Sequence, residues 1–85
     1  MMRELDARQQ LMVITMEECG ELQQVCSKIL RQATVENKRQ ELVDELGDVL
    51  CMIGLMQEHD LVSWQELEDR AEVKREKLAK WSDLV

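Results

Sequence analysis

A chain of 85 residues and 10.0 kDa reads as one domain, residues 1–85, near the lower size at which a core stands alone. Its residues are 45% apolar but only 2% aromatic, with two Trp, no Phe or Tyr, no Pro and three Gly. That argues against a turn-rich β fold and for a few long helices packed through Leu, Val, Ile and Met. Eleven basic residues against eighteen acidic ones give a net charge of −7, which speaks against nucleic-acid binding and an anionic-membrane surface, since both need a basic face. No apolar run nears the ~18 residues of a membrane span. Met1–Asp6 lacks the apolar stretch of a secretion signal, so the expected location is the cytoplasm.

The first predicted helix runs from about Leu5 to Arg31. At about 100° per residue, Ile14, Val25, Leu11, Ile29, Leu22, Cys26 and Cys19 fall in one arc of about 140°. Lys28 and Arg31 stand near its C-terminus, where the helix dipole favours cations. A short loop, roughly Gln32 to Thr34, follows. The second helix is expected from about Val35 to Glu58, with Thr34 as N-cap. Leu42, Leu46, Val49, Ile53 and Met56 repeat at the spacing of a buried stripe. After a loop over His59–Val62, Ser63-Trp64-Gln65-Glu66 reads as a capping box, with Val62 and Leu67 placed as its hydrophobic staple. The third helix carries Leu67, Ala71, Lys74, Leu78 and Trp81 on one stripe. Connections this short set neighbouring helices antiparallel.

Cys19, Cys26 and Cys51 show no CxxC spacing, and His59 is the single histidine. A zinc site and a disulfide scaffold are both unexpected. The cysteines read as small core residues of a reduced compartment. The predicted fold is all-α: an antiparallel bundle of about three helices. Leu30, Met12, Leu50 and Leu55 lie off the main stripes, so oligomerisation is expected to complete the core.

Two segments share a shape: Glu18-Cys19-Gly20-Glu21 and Glu45-Leu46-Gly47-Asp48. Each sets two acids three residues apart with Gly before the second. Glu18 falls inside the apolar arc of its helix, about 20° from Val25 and Leu11, and Glu21 lies just beyond its edge. Glu45 falls between Met52 and Met56, and Asp48 between Met52 and Leu55. Buried carboxylates without partners are costly. A divalent cation resolves the cost, and an all-oxygen ligand set favours Mg²⁺, with Mn²⁺ the alternative. Gly20 and Gly47 each cost about 1 kcal/mol against Ala within a helix, a cost that close helix approach or room for a ligand would justify. On the third helix Lys74 occupies a stripe position flanked by Arg70 and Lys77. Acids that hold a metal, opposed by these cations, would form a pocket for a polyphosphate.

The run Glu17-Glu18-Cys19-Gly20-Glu21-Leu22, a spacer of 23 residues, and Asp44-Glu45-Leu46-Gly47-Asp48-Val49-Leu50 resemble the MazG-like members of the all-α nucleoside triphosphate pyrophosphohydrolase superfamily. Val73-Lys74-Arg75-Glu76-Lys77-Leu78-Ala79-Lys80-Trp81 resembles the closing helix of that group, with Lys77 at its lysine. The resemblance covers about residues 8–81. It implies a homodimer or homotetramer, and hydrolysis of (deoxy)nucleoside triphosphates to monophosphate and pyrophosphate. It implies Mg²⁺ held by Glu18, Glu21, Glu45 and Asp48, one of them also serving as the base, with Lys77 toward the phosphates; by helical position Lys74 and Arg70 are expected to join it there. The chain departs from the group at Lys74, where many relatives have Asn, and at Lys80-Trp81-Ser82. Two alternatives stand beside this reading: a non-catalytic helical interaction or regulatory module, and a phosphoribosyl-ATP pyrophosphohydrolase.

Overall fold

A computed structural model describes residues 1–31 and 34–85. The described residues form three α-helices, α1 (Ala7–Arg31), α2 (Val35–Glu58) and α3 (Trp64–Leu78), preceded by a 3-10 turn over Met2–Glu4, and contain no strand. The all-α class expected from composition is what the chain adopts. Of the first predicted loop, Gln32 and Ala33 lie outside the described residues.

Each helix starts where a side chain caps it. At α1, Asp6 and Gln9 satisfy one another reciprocally: the Gln9 amide donates to Asp6 Oδ1 at 2.8 Å and the Asp6 amide to Gln9 Oε1 at 3.0 Å. This is a capping box built with Asp and Gln. It starts the helix two residues later than the apolar pattern predicts. At α2, Thr34 accepts from the Asn37 amide at 3.1 Å. At α3, both halves of the Ser63–Glu66 capping box are made. Val62 and Leu67, the expected staple pair, are both half-buried.

The end of α2 is shaped by Asp60, whose φ of 61° is left-handed. The Leu61 amide reaches back to the Met56 carbonyl at 2.9 Å and the Asp60 amide to the Gln57 carbonyl at 3.0 Å. That pairing is a Schellman motif, with Asp in the position Gly usually holds. It turns the chain away from the α2 axis, and α3 starts four residues after Asp60, at Trp64.

Packing is concentrated between α1 and α2, and α3 has few neighbours on either helix. Among the described residues, Leu11, Val25 and Met52 are the buried hydrophobic ones. Two sequence readings change here. Leu46 is exposed and Met52 carries the burial, because the face of α2 that meets α1 is centred near Met52 and Glu45 rather than on the Leu46 stripe. Cys19, Cys26 and Cys51 are free and exposed, not core residues. One neighbouring helix covers a narrower sector than the 140° arc, and Cys19 and Cys26 sit at the arc's uncovered end.

Candidate metal centre

The α1–α2 hairpin sets the two acid pairs opposite one another. Glu18 and Glu45 lie on the faces the two helices turn toward each other, and both are half-buried. Glu21 and Asp48, three residues on, stand at the solvent edge of the same interface. One carboxylate oxygen from each of the four lies within 4.8 Å of the others. The spacing read from sequence and the three-dimensional cluster agree residue for residue.

The electrostatics of the cluster are set by loss of solvent and by mutual repulsion of its carboxylates. Loss of solvent pushes the Glu18 carboxyl above the ordinary glutamate value, and the charges of Glu21, Asp48 and Glu45 push it further. Loss of solvent also raises Glu45, followed by the charges of Glu21, Asp48 and Asp44. Every charge acting on these two groups is another carboxylate. Glu18 Oε2 and Glu45 Oε2 are buried and accept no hydrogen bond. An ionised oxygen in that position has a desolvation cost, and the neighbouring carboxyls Asp48 and Glu21 favour the protonated forms of Glu18 and Glu45.

A divalent cation fits this arrangement. Four oxygens all within 4.8 Å of one another are close enough to converge on a single ion. All four donors are hard carboxylate oxygens, the ligand chemistry of Mg²⁺ and Mn²⁺ rather than of zinc. Gly20 and Gly47 stand beside the acids, but a Cβ at either would meet no atom within 4 Å. Close helix approach therefore does not account for them within this chain. Both face away from the neighbouring helix, toward open space. Thr15, one turn before Glu18, has a buried hydroxyl without a partner. A Thr among apolar residues was its only signal in the sequence.

The cations of α3 are not brought to the acids. Arg70 and Lys74 line a groove between α2 and α3 with Leu50, Ile53, Trp64 and Leu67. Leu50 lies about 140–160° round α2 from Glu45 and Asp48. The Lys74 ammonium sits over the Trp81 ring, 5.8 Å from its centroid, a cation–π contact at an exposed site. Lys77 is exposed in the last turn of α3. Among the described residues, none of the three forms an ion pair with a carboxylate.

An all-α hairpin holding four convergent carboxylates defines a candidate metal-dependent phosphate enzyme. The family model of the MazG nucleotide pyrophosphohydrolase domain matches residues 6–80, and the chain belongs to that family. Membership supports nucleotide pyrophosphohydrolase activity and the use of a divalent metal, for which the acid cluster is the candidate place. No curated protein and no solved structure matches the chain.

Proposed function

We propose that this single domain hydrolyses (deoxy)nucleoside triphosphates to nucleoside monophosphate and pyrophosphate in a Mg²⁺-dependent reaction, and that it works as a homodimer or homotetramer in the cytoplasm. The observation that carries the chemistry is the cluster Glu18, Glu21, Glu45 and Asp48, with two buried oxygens that have no partner, in a chain of the MazG family.

In this reading Glu18, Glu21, Glu45 and Asp48 hold the metal. When bound, the divalent ion supplies Lewis-acid polarisation of phosphate oxygens and eases deprotonation of the attacking water. The chain's own residues do the rest. Glu18 and Glu45, set in the hairpin interface, fix the inner edge of the site. Glu21 and Asp48, exposed, face the side from which a triphosphate arrives. Water attacks phosphorus, the bond between the α- and β-phosphates breaks, and pyrophosphate leaves. One of the four carboxylates accepts the water's proton. Lys74, Lys77 and Arg70 neutralise phosphate charge. They lie away from the acids of their own chain, so a neighbouring copy is the natural source of these cations.

The test is product analysis. The purified protein is incubated with a panel of NTPs and dNTPs and Mg²⁺, and the products are separated by chromatography, with and without EDTA. Monophosphate and pyrophosphate that disappear with EDTA are expected. Diphosphate and orthophosphate would place the cleaved bond elsewhere. The absence of turnover across the panel and on phosphoribosyl-ATP would favour a non-catalytic module.

A further inference from the structure

We infer that Thr15 is a positioning residue of the acid cluster: its hydroxyl donates to the Glu18 carboxylate and fixes the orientation in which Glu18 holds a divalent ion. This deepens the reading above and rests on it. Among the described residues, three buried side-chain polar atoms have no hydrogen-bond partner: Thr15 Oγ1, Glu18 Oε2 and Glu45 Oε2. All three lie on the α1–α2 hairpin, and two of them are oxygens of the cluster. The third is the one that can donate. An ionised carboxylate only accepts, whereas a hydroxyl does both. Orphaned buried polar atoms are uncommon in folded proteins. A donor and an acceptor orphaned one turn apart are complementary.

Helix geometry brings the two within reach. Residues three apart have Cβ atoms about 5–6 Å apart. Side chains on a helix lean toward its N-terminus, so that of Glu18 lies over the turn that carries Thr15. Thr15 is half-buried and stands one turn after Leu11, which is buried. A Thr inside a helix commonly donates to the carbonyl three or four residues back, yet the Thr15 hydroxyl has no such partner. Packing alone does not call for Thr at this place, since Val has nearly the same shape and no polar atom to desolvate. The other helical neighbours of Glu18 are Ile14, Glu21 and Leu22, and none of them offers a side-chain donor. Arg70 and Lys74 line the groove between α2 and α3, away from the acids. The hairpin's own donor to Glu18 is therefore this hydroxyl. Glu45 has Glu41, Leu42, Asp48 and Val49 at the same spacings, so the device serves the α1 side of the cluster only. Donors that orient a ligating carboxylate are worth about 10–100-fold in metal affinity.

Mn²⁺ titration of the wild type, Thr15→Val and Thr15→Ser tests the role, with the melting temperature of each metal-free protein measured in parallel. Thr15→Val is expected to weaken Mn²⁺ binding by about tenfold or more, and Thr15→Ser, which keeps the hydroxyl, to bind close to the wild type. Without metal, Thr15→Val is expected to melt at or above the wild-type temperature, because it removes an unpartnered buried hydroxyl. A hydroxyl with a merely structural role would give the opposite pattern: a lower melting temperature and unchanged affinity. Thr15→Val that binds Mn²⁺ as tightly as the wild type overturns the inference, as does Thr15→Ser that binds as weakly as Thr15→Val. Should Thr15→Val fail to fold, Thr15→Ser against Thr15→Ala decides. Both lack the methyl group, and only the Ala variant is expected to bind weakly; equal affinities overturn the role. A wild type that binds no Mn²⁺ removes the metal centre itself and this role with it, a result distinct from all of these.

Discussion

The α1–α2 hairpin and helix α3 are built by the same rules and end in different circumstances. Both open on a reciprocal capping box, Asp6 with Gln9 and Ser63 with Glu66. Both carry an apolar stripe. In the hairpin that stripe is covered: Leu11, Val25 and Met52 are buried, and the interface is tight enough to desolvate Glu18 and Glu45. In α3 the stripe is open, no residue is buried, and Trp64 stands at the rim of a groove. A cap and an amphipathic pattern start a helix. Only a neighbour makes it a wall against which a carboxylate can be desolvated. The candidate chemistry therefore sits in the region that is packed within one chain, not in the one that is open.

The sharpest way to break the hairpin's side of this contrast is at the acids. Glu21→Gln or Asp48→Asn is expected to lower hydrolysis by at least about a hundredfold, since even outer-shell partners of a metal ligand cost about 10–100-fold. Far-ultraviolet circular dichroism should remain that of the wild type, because both residues are at the solvent edge. Retained turnover in both variants would remove the site assignment.

Next in size is the response to pH without metal. Glu18 and Glu45 have raised values in the folded chain, so between the ordinary glutamate value and the raised one the folded state binds more protons than the unfolded state. Stability then falls as pH rises through that window. The metal-free protein should melt at a higher temperature near the ordinary glutamate pKa than at neutral pH. Saturating Mg²⁺ should reverse the order, since the ion displaces those protons. The double variant Glu18→Gln/Glu45→Gln should lose most of the slope that these two groups cause. Differential scanning fluorimetry across pH, with and without Mg²⁺, reads all three.

Paired cap deletions sharpen the comparison directly. Ser63→Ala and Asp6→Ala each remove one acceptor, worth about 1 kcal/mol. At equal cost the loss of helicity should be larger for Ser63→Ala, because α1 is also held by α2. Hydrogen exchange localised to each helix separates the two. Equal fraying would mean that α3 is held as firmly as α1. Smallest is Asp60→Gly. It relieves a left-handed residue at a Schellman turn and should stabilise by about 0.5–1 kcal/mol, a rise of a few degrees in Tm.

Local features were legible because they are set by neighbours in the chain. Thr34 and Ser63 as caps, the boundaries of α2 and the start of α3 follow from side chains three or four residues apart, whereas α3 ends at Leu78, short of the Trp81 that its stripe included. The cluster was legible too: each pair is one helical turn, and a short connection forces the two turns to face each other. What lay beyond the sequence is what a second surface decides. Cys19 and Leu46 sit on stripes wide enough for two neighbours and have one. Gly20 and Gly47 stand where a close contact would explain them, and face open space. Lys74 shares a stripe with Leu67 and Leu78 but meets the Trp81 ring, not an acid. Where α3 points depends on the turn at Asp60, a residue type that enters the left-handed region only sometimes.

The most direct test of the account is a Mn²⁺ titration followed by electron paramagnetic resonance, with Mg²⁺ as competitor. The account predicts saturable Mn²⁺ binding by the wild type, displaced by Mg²⁺ and lost in Asp48→Asn and Glu45→Gln. Binding unchanged in both variants, or none in the wild type with and without a nucleotide, would contradict it.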